Sequence, residues 1–110
     1  MAWESLDDLS ILSQINSSPE SQIIFKHSPR CGISSMALRR FEKSDLYKSG
    51  NFNLWLLNVL ENRELSNSLA SEFNVRHESP QVMVFHDRNL VHHASHSYID
   101  AEEIARILKK

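Results

Sequence analysis

With 110 residues and 12.7 kDa, the chain has the size of one domain around one hydrophobic core. Its 12 Lys plus Arg against 14 Asp plus Glu give a formal net charge of −2, which argues against gripping nucleic acid through a concentrated cationic surface. Hydrophobic residues at 41% and charged residues at 24% exclude disordered, collagen-like and coiled-coil chains.

The N-terminus, Met1-Ala2-Trp3-Glu4, turns acidic at once and is unlike a secretory signal, so a cytoplasmic protein is expected. Ala2 to Glu4 carries a faint strand signal. Leu6, Leu9, Leu12 and Ile15 then recur at helical spacing, with Ser5 as the predicted N-cap ahead of Asp7 and Asp8. The cluster Asn16-Ser17-Ser18-Pro19 stops that helix. Gln22 to His27 is short, apolar and bounded by turn residues, as a buried strand is. After the loop Ser28-Pro29-Arg30, the spacing of Ile33, Met36, Ala37, Leu38 and Phe41 predicts a helix from Cys31 to about Ser44.

Gly50 marks a break, and Phe52 to Val59 reads as a second buried strand. The longest apolar run lies here, around Leu54 to Leu60. Asn58 interrupts it, and it falls far short of the roughly 20 residues needed to span a bilayer, so no membrane association is expected. Leu65, Leu69 and Phe73 predict a helix that Asn74 closes. Ser79-Pro80 opens a strand through Val82 to Phe85, Asp87-Arg88-Asn89 turns the chain, and a strand follows near Leu90 to Ala94. Asp100 caps a last helix through Ile104, Ile107 and Leu108, which ends in Lys109 and Lys110. Strands alternating with helices imply parallel pairing, and the late hairpin adds antiparallel strands: an α/β fold with a mixed central sheet flanked by helices.

Cys31 is the only cysteine, so an internal disulfide, zinc held by cysteines alone and a Cys-x-x-Cys redox pair are all excluded. Free cysteines are often buried and inert. This one sits between a strand and a helix start, where unpaired backbone N–H groups and the helix dipole favour a thiolate. Arg30, Lys26 and His27 add positive potential, and Ser34, three residues on, is expected to offer its hydroxyl to the sulfur. A thiolate so stabilised is suited to disulfide exchange. The six histidines show no strong metal spacing; His92 and His93 point to opposite faces of a strand, and no metal site is expected. Trp55 lies in an apolar strand and reads as core, and two glycines make no phosphate loop.

A strand, then x-Pro-x-Cys31-Gly32-Ile33-Ser34 opening a helix, and later Ser79-Pro80 opening a hairpin, resemble a thioredoxin-like fold spanning residues 1–110. The resemblance implies that Pro80 is cis and lies against Cys31, with backbone presented to a substrate disulfide. More narrowly, Phe25-Lys26-His27-Ser28, Cys31-x-Ile33-Ser34-Ser35-Met36-Ala37, Glu78-Ser79-Pro80-Gln81 and His92-His93-Ala94-Ser95-His96-Ser97 resemble the YtxJ-like monothiol bacilliredoxin family. That family commonly carries Cys-Pro-Ile-Ser, where this chain has Gly32.

The resemblance implies reduction of S-bacillithiolated client proteins through a mixed disulfide on Cys31, with Ser34 and Pro80 in the catalytic site. Bacillithiol would serve as a cosubstrate and not as a resident cofactor. Arg30, or Lys26, would pair with its malate carboxylates, and Ser79, His96 and Ser97 would contact the ligand. Two other readings stay open. Cys31-Gly32-Ile33-Ser34 and Pro80-Gln81 are also similar to monothiol glutaredoxins, which hold a [2Fe–2S] cluster with glutathione, although their glycine before the last helix is replaced here by Ser95-His96-Ser97-Tyr98. The third reading is a redox-inert thioredoxin-fold interaction module.

Overall fold

The strand β2 (Gln22–His27) is buried almost end to end, and strand alternation sends its side chains to opposite sides. Ile24 joins a cluster with Leu12, Ile15, Leu65 and Leu69, while Ile23 and Phe25 join another with Ala37, Phe41, Leu46 and Ile104. Helices α1 (Leu9–Ser17) and α4 (Arg63–Phe73) therefore cover one face. Helices α2 (Gly32–Glu42), α3 (Asp45–Ser49) and α5 (Ala101–Leu108) cover the other. These relations come from a computed structural model that describes residues 3–49 and 52–109.

Among the described residues the sheet has five strands in the order β1-β3-β2-β4-β5, with β1 (Glu4–Ser5), β3 (Asn53–Asn58), β4 (Gln81–His86) and β5 (Asn89–Ser95). β1, β3 and β2 are parallel; β4 runs antiparallel to β2, and β5 to β4. Gln81 pairs with Lys26 across the β2–β4 ladder. The start of β4 thus lies at the end of the sheet where β2 leaves toward Cys31.

Local chemistry sets most boundaries. Asn74 closes α4 in the left-handed region at φ 54°. Asp87 and Arg88, at φ 50° and 70°, supply the paired positive dihedrals of a tight hairpin. The Asp100 carboxylate accepts from the backbone N–H of Glu102 and Glu103 at the start of α5. Trp55 packs on the first cluster and donates to Gln22 Oε1 at 2.8 Å.

Three expectations need correction. Asp8, not Ser5, caps α1, accepting from Ser10 N at 2.9 Å, because Ser5 is drawn into β1 opposite Leu56. The helix expected to run to Ser44 stops at Glu42 and restarts at Asp45; Ser44 Oγ accepts from Tyr47 N at 3.2 Å and caps the new helix. The first strand covers Glu4 and Ser5, with Trp3 outside it. Ala2, the break at Gly50 and Lys110 lie outside the described residues.

Candidate functional site

β2 ends at His27, and a turn closed by Cys31 N donating to Ser28 O at 3.0 Å delivers Cys31 to the N-cap of α2. Its backbone is extended, at φ −105° and ψ 119°, and its carbonyl accepts the first helical bond from Ser35 N at 3.0 Å. No side chain caps this helix start. The leading N–H groups of α2 are thereby left for an anion, and Cys31 is half-buried with its thiol free. Arg30, exposed, precedes it directly. A Cβ built on Gly32 would meet nothing within 4 Å, so the helix faces open space at that position.

The Ser34 side chain is fully buried and does not bond the sulfur as expected. Its Oγ accepts from Ser28 N at 3.0 Å and lies 2.8 Å from His27 Nδ1. His27 follows Phe25 in the strand alternation, so it faces α2 and meets Ser34 there. Burial pushes the His27 pKa below its ordinary value, against an opposing pull from Glu42. At neutral pH this imidazole is uncharged, which corrects the expectation that it adds positive potential.

Lys26 takes the other face. It is fully buried, with Nζ 3.2 Å from Ser66 O on α4 and 3.4 Å from His77 Nδ1. Burial lowers its pKa from 10.5 to about 8. Ser66 Oγ lies 3.1 Å from the same His77 nitrogen. Since an ammonium only donates, Nδ1 of His77 is an acceptor and its proton sits on Nε2. Burial, then Lys26 and Arg63, depress the His77 pKa, with Glu78 opposing. Lys26 is thus spent inside the protein and does not reach a ligand carboxylate, as one expectation had it.

The Ser79–Pro80 peptide is cis, as the resemblance implied. Pro80 is buried and its carbonyl accepts from His96 N at 3.0 Å, so the segment before α5 is tied to the proline. Gln81 anchors the same region, donating to Arg76 O at 2.9 Å and Ser95 Oγ at 3.1 Å. A hydrogen bond with Ser95 lowers the Glu78 pKa, helped by His96, Arg76 and His77. His96 is exposed and held at φ 55°, the left-handed conformation glycine adopts most easily. Ser97 is also exposed, but it lines a depression with Arg40, Phe41, Ile99 and Asp100 rather than with Cys31.

Two groupings therefore stand at one end of the sheet: Cys31 with His27 and Ser34, and Ser79-Pro80 with His96. Among the histidines of the hairpin, His86 Nδ1 lies 2.9 Å from Ser21 Oγ, His92 Nε2 lies 3.6 Å from the Glu103 carboxylate, and His93 is exposed. No three His, Cys, Asp or Glu side chains gather as a metal site among the described residues. Nor is any described helix long and apolar enough to cross a membrane. The roles of Lys26 and His27 escaped the sequence reading, although a lysine inside a strand read as buried was a signal that it needed a partner.

Solved structures define the class. The chain is 30% identical to one described as a candidate oxidoreductase with a thioredoxin fold, at a TM-score of 0.83, covering 94% of this chain and 91% of that one. It also matches thioredoxin from Trypanosoma brucei brucei at 14% identity and TM-score 0.75, covering 98% of this chain and 88% of that one. Thioredoxin from Malassezia sympodialis follows at 16% identity and TM-score 0.71, with 98% and 90% covered. This is a thioredoxin-fold protein whose one cysteine stands at the uncapped start of the helix after a central strand. Residues 4–104 match the family described as monothiol bacilliredoxin BrxC, and the chain belongs to that family.

Proposed function

We propose that this protein is a monothiol thiol–disulfide oxidoreductase that reduces S-bacillithiolated proteins in the cytoplasm. The observation that carries the reading is the position of Cys31, the sole thiol, at an uncapped helix start. The family match supports it. The Cys31 thiolate attacks the bacillithiol sulfur of a client mixed disulfide. The client S–S bond breaks, a bond from Cys31 to bacillithiol forms, and the client thiolate takes a proton from water. Ser34 cannot resolve the new disulfide, so a second thiol or a reductase must do so.

Arg30 is the exposed cation beside Cys31 and suits the malate carboxylates of bacillithiol. Backbone at Ser79, beside the cis proline, would pair with the bound disulfide, and His96 and Ser97 would meet the polar end of the thiol. The test follows transfer of labelled bacillithiol from a client protein to Cys31. Transfer is expected to be lost in Cys31→Ser; undiminished transfer by that variant would refute the mechanism.

A further inference from the structure

A fully buried lysine is a costly residue in a small core, because an ammonium taken out of water is compensated only by good hydrogen bonds. Lys26 is 0% exposed, and burial lowers its pKa to about 8, so at neutral pH the amine keeps its proton and can only donate. It faces α4, away from α2, and the chemistry proposed for Cys31 gives it no task. Features that work against the stability of a core without packing into it tend to serve function.

The partners of the amine show what it holds. Nζ reaches Ser66 O at 3.2 Å and His77 Nδ1 at 3.4 Å, so one cation links β2, α4 and the segment between α4 and β4. That segment, from Val75 to Pro80, has no helix or strand of its own. It is also tied by Gln81 Nε2 donating to Arg76 O at 2.9 Å, by Ser95 bonding the Glu78 side chain, and by His96 N donating to Pro80 O at 3.0 Å. Of these ties, only the one from Lys26 is made by a buried charge.

Lys26 and Gln81 are partners in the β2–β4 ladder. From there β2 continues through His27 toward Cys31, and Pro80 directly precedes Gln81. Lys26 therefore sits on the strand that delivers the cysteine and holds the segment that leads into the neighbouring strand.

We propose that Lys26 is a positioning residue for disulfide exchange, fixing through His77 the segment Arg76–Pro80 that receives the substrate disulfide. The proposal rests on the reading that Ser79 backbone pairs with that disulfide, and it gives Lys26 no contact with substrate or sulfur. An ammonium makes a stronger hydrogen bond than a neutral hydroxyl does. In Lys26→Met the imidazole keeps the Ser66 hydroxyl alone, at 3.1 Å. The core loses a buried charge while the segment loses its strongest tie. Stability and disulfide exchange are thus expected to move in opposite directions, which a residue serving only the core would not produce.

The test compares two reactions of the reduced, full-length protein at pH 7. In the first, Cys31 takes one sulfur of oxidised glutathione and the other leaves as a thiolate, followed by mass spectrometry. The second is iodoacetamide alkylation, which needs the thiol but no seat for a disulfide. Lys26→Met is expected to form the mixed disulfide about tenfold more slowly and to alkylate at the wild-type rate. His77→Leu is expected to give the same slowing, and the double variant no more than either alone, because both remove one contact. The His96 N–H, bonded to Pro80 O, is expected to exchange with deuterium faster in Lys26→Met although that variant is the more stable in urea. An unchanged disulfide rate in Lys26→Met, equal slowing of both reactions, or additive effects of the two substitutions would each overturn the proposal. Failure of bacillithiol transfer to wild-type Cys31 refutes the bacillithiol reading alone, since the comparison is made with glutathione. A wild-type thiol that alkylates but exchanges with neither disulfide would overturn both.

Discussion

Replacing Lys26 by Met tests the least expected feature of the core. The amine is fully buried, and its pKa falls from 10.5 to about 8 through burial. At about 1.4 kcal/mol for each tenfold change in proton affinity, keeping it charged costs the folded state about 3 kcal/mol at neutral pH. That is a large share of the stability of a small domain. Met fills a similar volume and orphans nothing. His77 Nδ1 keeps Ser66 Oγ at 3.1 Å, and the Ser66 carbonyl stays within the body of α4. Lys26→Met is therefore expected to be about 2 to 3 kcal/mol more stable than the wild type at pH 7.

The pH dependence gives the sharper check. Below pH 8 the amine is protonated in both states, and the folded chain carries the whole cost. Between pH 8 and 10.5 the unfolded chain still binds the proton while the folded chain does not, so wild-type stability rises with pH. The advantage of Lys26→Met should shrink to under about 1 kcal/mol by pH 10. Urea unfolding of both proteins at pH 7, 8.5 and 10, in a Cys31→Ser background, measures this. Parallel stability curves, or a less stable variant at pH 7, would refute the reasoning.

Gly32→Pro is expected to stabilise the fold by about 0.5 to 1 kcal/mol in thermal unfolding. Gly32 is the first residue of α2, nothing crowds it, and Cys31 already has the extended backbone a following proline demands. His96→Gly should also raise stability, by roughly 1 kcal/mol, by relieving a positive φ; if the imidazole binds bacillithiol, the same variant will transfer it more slowly. Acid should weaken the protein as pH falls through 6.5, because His27 and His77 bind protons more weakly folded than unfolded, and His77→Asn should flatten that slope in urea titrations. Asp100→Ala is expected to cost about 1 kcal/mol in denaturant unfolding by removing the cap of α5.

The departure from monothiol glutaredoxins also gains a structural form. Within Ser95-His96-Ser97-Tyr98, ahead of the last helix, His96 keeps a left-handed backbone, bonds Pro80 O and adds an exposed imidazole. At φ 55° it holds a backbone conformation that glycine adopts most easily.

What could be read from the residues alone was governed by short-range chemistry. β2 runs over the predicted Gln22–His27, Asn74 ends its helix, Asp87 and Arg88 make the hairpin, and Asp100 caps the last helix. The placing of Cys31 at a helix start was legible for the same reason, since strand, turn and helix are contiguous there. Lys26 and His27, which the sequence grouped as one positive cluster, are strand neighbours that face opposite ways. The residues alone could not say what each would meet, because that depends on which helix packs on which face of the sheet. Only the tertiary structure seals Lys26 under α4 against Ser66 and His77, and turns Ser34 to His27 and Ser28 rather than to the sulfur. Burial then decides their charge: taking an amine or imidazole out of water disfavours its cation, so residues that read as a positive cluster became one buried amine and one neutral ring.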